Sequence, residues 1–381
     1  MADLCNAVVD LFAGCGGLSL GAHYAGFESV LAVDIDQQLS SSLTKNFNNT
    51  VVKHWDLSKT SREDFTSVLG DRRISGLIGG PPCQGFSTIG KRAIDDPRNE
   101  LIGHFFRHVS MLTPKFFVLE NVPGILKDSA WKCLENGIDS IASKYRIVGP
   151  FTVNAAHFGA ATSRSRVIVI GYGSNEVNPL EEIDFGCGPD AEPATVGAVI
   201  GDLVSPGDGT TDETGYDWLP YRHYSSLSAY ASRSRELPRG NLGWEVAIDY
   251  LKRGQASGFL PTRHTEAVIR RFEGTEAGST ERVSRYPRLD WNSQCATLRA
   301  GTGPERGSFQ AARPIHPIEP RVITIREAAR LQGFPDWFVF HPTIWHSFRM
   351  IGNSVSPIVS HALLRIIAEN TDMRSAKMAA A

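Results

Sequence analysis

A cysteine that follows two prolines is the residue of this 381-residue sequence that most clearly indicates chemistry. Cys83 comes after Pro81 and Pro82 and before a polar segment that contains glycine. The prolines favour an extended chain before the cysteine, which presents the thiol at the end of a strand. A thiolate there is a nucleophile if neighbouring groups lower the pKa of the thiol. Four other cysteines fit the ordinary role of a small buried residue: Cys5, Cys133, Cys187 and Cys295.

A carboxylate and two arginines stand at further strand boundaries. Glu120 follows four apolar residues, and a desolvated pocket would raise its pKa and make it a general acid. Arg164 and Arg166 come just before an apolar strand and offer two forked donors. Taken singly, each pattern also fits an ordinary surface residue.

A glycine-rich segment, 10–17, joins a predicted strand to a predicted helix. Glycine tolerates positive φ and lets the backbone approach a ligand closely. Asp34, at the end of the next strand, has the chemistry to hold ribose hydroxyls. The segment predicts a nucleotide-like cofactor or, alternatively, a tight turn without a ligand. The dinucleotide fingerprint G-x-G-x-x-G is incomplete, because Ser19 occupies the place of its third glycine.

The elements that must position these residues alternate between strand and helix patterns. Apolar runs predict strands at 7–12, 29–33, 74–78, 116–119 and 167–170, and helical periodicity predicts helices at 39–47, 101–112 and 131–145. Such alternation is typical of a mostly parallel sheet with helices on both faces. Ligand sites of these sheets lie beyond the carboxyl ends of the strands, where the singled-out residues fall. A capping box at Thr324 predicts the start of a late helix.

Composition limits the class of protein. Hydrophobic residues make up 41% and charged residues 21%, which permits a sizeable core. The net charge of -2 excludes a generally basic coat for nucleic acid but leaves room for a local basic face. The beginning of the chain has no secretory pattern, and no apolar run approaches the roughly 20 residues of a membrane span. Sparse cysteines without C-x-x-C pairs indicate a reducing cytoplasm and no zinc site.

Charge changes sign along the second half of the chain. No lysine or arginine occurs from 167 to 221 while acidic residues accumulate, which predicts a solvated connection. Arginines interleaved with aromatic residues follow, from Arg222 to Arg288. This composition fits a second domain that contacts nucleic acid, and it fits a solvated surface equally well.

Together, and in this order, the motifs resemble the C5-cytosine DNA methyltransferase family. The resemblance is carried by the cofactor loop 10–17, the nucleophile loop 79–87, the glutamate motif 120–122, the arginine motif 158–166 and the closing motifs 321–335 and 352–355. Thr162 departs from the arginine motif at a position often held by glutamine. Residues 172–290 match poorly, and this is the variable target-recognition region of the family.

The resemblance implies an α/β fold. It comprises a Rossmann-like S-adenosylmethionine-dependent methyltransferase sheet with helices on both faces, plus a smaller irregular target-recognition domain. The catalytic domain would span 1–185 completed by 322–381, and the recognition domain 186–321. Cys83 would add to C6 of cytosine, Glu120 would bind N3 and the amine, and Arg166 would bind O2 with support from Arg164.

The implied cofactor is S-adenosyl-L-methionine, and no metal is implied. The residues carried over to its site are Phe12, Gly14, Gly16, Gly17, Asp34, Ile35, Asp56, Leu57, Pro82, Leu101, Asn353 and Val355. Ile35 stands where many members have an aromatic residue, so adenine stacking is expected to be weaker here.

The implied substrate is double-stranded DNA with the target cytosine flipped out of the stack, beneath a lid at 84–98. The compact length suggests functional pairing with a restriction endonuclease, without a stable complex. The chain is also expected to be a monomer and cytoplasmic. Three alternatives remain: a tRNA cytosine-5 methyltransferase, an inactive DNA-binding homologue and a dinucleotide-dependent oxidoreductase. The missing Cys-Phe-Thr tripeptide, the intact catalytic residues and the incomplete glycine fingerprint count against them in turn.

Overall fold

The computed structural model describes residues 6–70, 73–82, 100–186, 192–223, 226–300 and 313–379. The strands in these ranges are β1 (Ala7–Leu11), β2 (Glu28–Val33), β3 (Val51–Lys53), β4 (Gly76–Gly79), β5 (Phe116–Asn121), β6 (Arg146–Asn154), β7 (Thr162–Ser163), β8 (Ser165–Tyr172), β9 (Trp218–Pro220), β10 (Gln255–Ser257) and β11 (Cys295–Ala296). The α-helices are α1 (Gly17–Tyr24), α2 (Gln37–Ser40), α3 (Leu43–Asn46), α4 (Arg62–Leu69), α5 (Glu100–Leu112), α6 (Asp128–Asp139), α7 (Val196–Ile200), α8 (Ala229–Ser234), α9 (Glu245–Lys252), α10 (Glu266–Glu273), α11 (Ile325–Gln332), α12 (Ile344–Asn353) and α13 (Pro357–Ala379).

Seven strands form the central sheet, in the order β3-β2-β1-β4-β5-β8-β6. The five strands from β3 to β5 are parallel, and β8 runs antiparallel to both of its neighbours. The predicted mostly parallel sheet is therefore confirmed. The strand order reverses direction at β1, which lies between β2 and β4, and ligands of such sheets bind in the crevice at that point.

Both faces of this sheet are covered. Every residue of β1 and of β5 is buried, as expected of parallel strands with helices on both sides. Val8 packs with side chains of α1 and α13, whereas Val9 and Leu11 pack with side chains of α4, α5 and α6. Alternate residues of a strand point to opposite faces, so these are the two helical layers.

Two predicted helices differ from the observed elements. The helix predicted over 39–47 is divided into α2 and α3, with Ser41 and Ser42 between them. Serine competes for backbone hydrogen bonds and favours caps and turns. The helix predicted to reach Tyr145 ends at Asp139, although Tyr145 is still buried and donates its hydroxyl to the Pro114 carbonyl. The capping box at Thr324 is present and opens α11.

The prediction of a solvated connection before Tyr221 is wrong for two of its acidic residues. Asp202 and Asp217 are both buried. Asp202 accepts hydrogen bonds from Arg235 and Arg330, and Asp217 accepts them from the backbone N–H groups of Gly258 and Phe259. A carboxylate can be buried when its charge is paired or fully hydrogen-bonded, and local composition does not reveal such partners.

One hydrophobic cluster crosses the predicted domain boundaries. It joins side chains of the first strand–helix units, such as Leu43 and Phe47, to residues between Val196 and Leu298 and to others between Ile323 and Ile351. The region 186–321 thus shares a core with the residues on either side. The division into two domains remains a prediction.

One stretch of the described chain, Ile344–Thr371, is long enough to cross a bilayer, and its most apolar 18-residue window has a mean hydropathy of 1.2. It contains α12 and the first part of α13, and 67% of its most apolar window is buried inside the protein. Helices of a protein core satisfy the same criteria of length and composition. Because α13 packs along α1, this stretch belongs to the core.

Candidate active site

The carboxyl edge of the sheet brings the predicted functional residues together. Phe12 follows β1, Asp34 follows β2, and Gly80 follows β4. Glu120 lies at the end of β5, and Arg166 lies at the beginning of the antiparallel β8, which starts at this same edge. Residues that are distant in sequence therefore line one crevice.

A buried ion pair lies at the centre of this edge. Arg166 Nε is 2.7 Å from Glu120 Oε1, and the two side chains are 12% and 10% exposed. Burial lowers the pKa of Arg166, and the Glu120 carboxylate opposes that shift. Arg166 Nη1 donates to the Ser165 carbonyl. Among the described residues, Arg166 Nη2 and Glu120 Oε2 have no hydrogen-bond partner, so both can face a ligand.

The chain that leads to Cys83 passes directly over this ion pair. A Cβ added to Gly80 would lie 3.0 Å from Glu120 Oε2, which leaves little room for a larger residue. Asn121 Nδ2 donates to the Pro81 carbonyl at 2.9 Å. Asn121 thus fastens the residues before Cys83 against Glu120. Cys83 itself and the predicted lid 84–98 lie outside the described residues.

Arg164 has a different environment from Arg166. It is 2% exposed and donates to the Leu298 and Gly352 carbonyls, at 3.0 and 2.9 Å. Burial, followed by repulsion from Arg166, holds the pKa of Arg164 well below its usual value. Since its donors bind backbone far along the chain, Arg164 joins three segments and fixes the start of β8.

The loop after β1 has an unusual backbone. Phe12 adopts φ 58° and Gly14 φ 52°, both in the left-handed region. A non-glycine residue in this region is strained and persists only where its surroundings impose it, often at ligand sites. The Asp34 carboxylate accepts from Gly14 N and from Asp36 N, each at 2.8 Å. A Cβ on Gly14 would meet no atom within 4 Å, so the loop borders open space.

The neighbouring residues fit the adenosine part of S-adenosylmethionine. Asp34, whose pKa is raised by burial, offers acceptor oxygens for ribose hydroxyls. Ile35 is 67% exposed and supplies an apolar surface beside it. Hydrogen bonds from Ser58, with Lys59 nearby, lower the pKa of Asp56 to about 2, so Asp56 is an anionic acceptor suited to an amine. Leu57 is buried nearby, and half-buried Leu101 and Pro82 come from α5 and the loop after β4.

The C-terminal segment closes against the cofactor loop. A Cβ on Gly17 would lie only 2.2 Å from the Val355 carbonyl oxygen, and Ser360 Oγ donates to the Gly17 carbonyl at 2.9 Å. The close approach explains the glycine at this position. Asn353 is exposed at the end of α12, while Gly16 is buried against the Phe47 ring.

Two residues at this edge were not predicted to have a role. Asn121 is one, although its place after Glu120 was visible in the motif. Asp10 is the other: it is fully buried, accepts from Ser19 Oγ at 2.6 Å, and burial raises its pKa to about 7. Asp10 Oδ1 has no partner among the described residues. In these ranges no group of His, Cys, Asp or Glu side chains is placed to hold a metal ion.

A model of the family "C-5 cytosine-specific DNA methylase" matches residues 6–369. The type II methyltransferase M.XorII of Xanthomonas oryzae pv. oryzae is 40% identical over 367 residues, which cover 93% of this chain and 82% of that protein. M.DdeI of Desulfomicrobium norvegicum, also a type II methyltransferase, is 32% identical and covers 95% of this chain and 88% of its own.

Solved structures with the same fold include a prophage-encoded E. coli protein whose name assigns it to the DNA modification methyltransferases. It has a TM-score of 0.85 and 38% identity, with 96% of this chain and 99% of that chain covered. The Dnmt2 methyltransferase of S. pombe has a TM-score of 0.61 at 18% identity, over 96% of this chain and 99% of its own. At that identity the likeness concerns the fold alone.

Proposed function

Because this chain belongs to the C-5 cytosine-specific DNA methylase family and is a DNA cytosine-5 methyltransferase of the type II restriction-modification kind, we propose that it methylates a flipped cytosine through a covalent Cys83 adduct. The observation that carries this proposal is the Glu120–Arg166 pair beneath the chain that leads to Cys83. The S-adenosyl-L-methionine cofactor supplies an electrophilic methyl group.

In the proposed reaction the Cys83 thiolate forms a bond to C6 of cytosine, and the electron pair of the C5–C6 double bond moves into the ring. C5 thereby becomes nucleophilic. Bound S-adenosyl-L-methionine would supply the methyl group, with the methyl–sulfur bond breaking and its electron pair staying on sulfur. Transfer of the C5 proton to water and departure of the Cys83 thiolate from C6 then restore the double bond and the free enzyme. Splitting one difficult step into two easier ones is the usual advantage of a covalent nucleophile.

Glu120 and Arg166 hold the base and stabilise the charge that develops on it. In the proposal Glu120 Oε2 faces N3 and the exocyclic amine of cytosine, and Arg166 Nη2 donates to O2; neither atom has a partner among the described residues. When the base binds, Glu120 takes up a proton from water, and this O–H donates to N3 as negative charge builds on the ring. Donors and acceptors fixed before the reaction need no rearrangement during it, which is the main source of electrostatic catalysis.

The cofactor site of the proposal is the edge between β1 and β3. Asp34 would accept from the ribose hydroxyls and Asp56 from the adenine amine, and Ile35 would offer its apolar surface to the adenine ring. The strained Phe12–Gly14 turn lets the backbone approach the cofactor, and Asn353 and Val355 close the site from the C-terminal side. Gly16 and Gly17 permit the close packing that holds this turn in place.

The substrate of the proposed enzyme is duplex DNA carrying one short sequence. C5 and C6 are covered inside the stack, so the target base must be flipped out. We place the recognition domain at 186–321 and the catalytic domain at 1–185 with 322–381. We also propose that the enzyme is a cytoplasmic monomer. It protects DNA from a partner endonuclease without forming a stable complex with it.

The test is base-resolution mapping of 5-methylcytosine in a methylation-free bacterial host that expresses the chain. We expect full methylation at one short motif, no methylation with Cys83→Ser, and a rate at least about a hundredfold lower with Glu120→Gln. Cofactor binding should survive in both variants. Normal methylation by Cys83→Ser would rule out the covalent mechanism. Methylated host tRNA without methylated DNA would instead identify an RNA substrate.

A further inference from the structure

The structure separates the arginines of the basic region that begins at Arg222 into two groups. Several have partners: Arg235 pairs with Asp202, Arg270 with Glu266, and Arg271 with Glu281. Others are exposed, and their side chains have no hydrogen-bond, ion-pair or ring partner among the described residues: Arg222, Arg239, Arg263, Arg282, Arg285 and Arg299. Arg282 and Arg285 belong to one turn, which is formed by residues 278–288.

This turn is a short hairpin, called here the hairpin 278–288. Thr280 and Pro287 form an antiparallel bridge, and the Glu281 N–H donates to the Tyr286 carbonyl at 2.9 Å. At the tip, the buried Glu281 carboxylate accepts from the backbone N–H groups of Val283 and Ser284. Both ends of the tip are thereby fixed, and the two free guanidinium groups project from a rigid support.

Arg285 has a strained backbone. Its φ is 61°, in the left-handed region, where few non-glycine residues are found. Its N–H donates to the Glu281 carbonyl at 3.0 Å, which helps to hold the conformation. Asparagine or glycine would adopt this φ with less strain. Strain of this kind is retained where the direction of a side chain matters for binding.

The base of the hairpin is fixed to the rest of the molecule. Arg288 donates to the backbone carbonyls of Phe272, Thr275 and Ile318, at 2.7, 3.0 and 2.9 Å. Leu289 N donates to the Ile315 carbonyl at 2.9 Å. Most of the Arg288 N–H groups are used in this way, so Arg288 supports the hairpin, while the side chains of Arg282 and Arg285 have no partner among the described residues.

The chain that leaves the hairpin runs to the active site. After Leu289 it reaches β11, which pairs with β7 immediately before Arg164, and the Leu298 carbonyl accepts from Arg164. The six steps from Leu289 to Cys295 span at most about 20 Å. The base of the hairpin therefore lies within about 20 Å of β11, a length that corresponds to roughly six base pairs of duplex DNA.

We propose that the hairpin 278–288 reads base edges in the major groove beside the target cytosine, with Arg282 and Arg285 donating to guanine O6 and N7. The inference rests on the proposed function and names the part of the chain that sets its specificity. The major groove admits a two-stranded ribbon, and an arginine fork on guanine is the commonest specific contact there.

The test is methylation of a pool of randomised duplexes by the whole enzyme, followed by sequencing of the methylated products. Arg282→Gln and Arg285→Asn remove the forks, and asparagine keeps the left-handed backbone. Each variant should accept sites that differ from the wild-type motif at one guanine position, with discrimination there reduced about tenfold or more. Arg285→Lys keeps the charge but not the planar fork, so it should keep only part of the discrimination that Arg285→Asn loses.

The matched control is Arg365→Gln, an exposed arginine on α13 that pairs with Glu369. It should leave the motif unchanged. If the variants keep the wild-type motif and only weaken binding uniformly, with a shallower salt dependence, the arginines contact phosphates and the inference is wrong. If the wild-type enzyme methylates no DNA, the proposed function fails first. Thermal unfolding of each variant identifies any loss of fold. If the Arg285 variants fail to fold, Arg282→Gln still tests the proposal, because Arg282 does not have a left-handed backbone.

Discussion

Arg164 and Arg166 are two residues apart, yet they have different partners. Sequence reasoning identified both as forked donors and assigned Arg164 a supporting role beside Arg166. The structure places Arg166 on Glu120, while Arg164 binds backbone at Leu298 and Gly352. Partners 134 and 188 residues away leave no trace in local spacing. The residue types at this edge of the sheet are visible in the sequence, whereas the contacts of each residue are not.

Asp10 gives a prediction about pH. The folded protein holds a proton on this carboxyl up to about pH 7, whereas the unfolded chain loses it near pH 4. The free energy of unfolding therefore falls as the pH rises through this window, by about 2 kcal/mol between pH 5 and 7. The free energy of unfolding of Asp10→Asn should not show this decrease. The stability of the variant relative to wild type should therefore increase from pH 5 to 8.

Urea unfolding of both proteins at pH 5 and pH 8 measures this difference. Buried histidines such as His23 and His108 are present in both proteins, so their opposite pH dependence cancels in the comparison. The exposed Asp139→Asn on α6 is the control and should follow wild type. Parallel pH profiles for Asp10→Asn and wild type would contradict the prediction.

At the scale of single elements, strands were easier to predict than helices. The buried strands are continuous apolar runs that end at a glycine or a carboxylate residue. The bounds of each of the five predicted strands lie within two residues of the observed bounds. Helix ends depend on capping and on the residues packed against them. Asp36 caps α2 by accepting from Gln38 N and Leu39 N, a contact that apolar periodicity does not reveal.

The contact between α1 and the C-terminal segment makes Gly17 a point of close packing. Gly17→Ala would place a methyl group 2.2 Å from the Val355 carbonyl oxygen. We expect a loss of about 1–3 kcal/mol in the free energy of unfolding, because the backbone must shift to make room. Urea unfolding curves with a two-state fit measure the change.

Gly103→Ala is the matched helical control for this substitution. Gly103 lies exposed within α5, where an added Cβ meets nothing within 4 Å. Replacing a helical glycine by alanine should raise stability by about 0.5–1 kcal/mol. The change in the free energy of unfolding should have opposite signs for the two variants. A Gly17→Ala variant as stable as wild type would mean that α1 and the segment around Val355 separate easily.

Across the whole molecule, a buried network of charged and polar side chains joins α11 to Asp202 and Tyr221, which lie more than 100 residues earlier in the chain. Arg330 is fully buried and donates to Asp202 and to Asp336, and Tyr221 donates to Asp336 at 2.7 Å. Arg235 also pairs with Asp202. Composition suggested solvated acids at this point, because an ion pair between residues 202 and 330 cannot be inferred from one sequence.

Asp202→Asn should destabilise the whole protein by about 3–5 kcal/mol, since it leaves buried arginines without a full partner. Asp249→Asn, which removes an exposed pair with Lys252, should cost less than about 1 kcal/mol. In a double-mutant cycle, the losses in the free energy of unfolding caused by Asp202→Asn and Arg330→Met should be strongly non-additive. Additive effects in urea unfolding would mean that the two charges act independently.

The anchors of the hairpin 278–288 bear on how specificity can be exchanged between related enzymes. Arg288 binds backbone carbonyls and Glu281 binds backbone N–H groups, which any residue provides. The side chains that anchor the hairpin therefore belong to the hairpin itself, and we expect that it can be grafted as a unit. A larger graft of 186–321 would remove Asp202, one of the two carboxylates that pair with the buried Arg330, so a chimaera must receive a replacement carboxylate from the donor. If the hairpin reads the recognition sequence as proposed, recombinants that replace only the hairpin are expected to change the sequence that is methylated while keeping the fold.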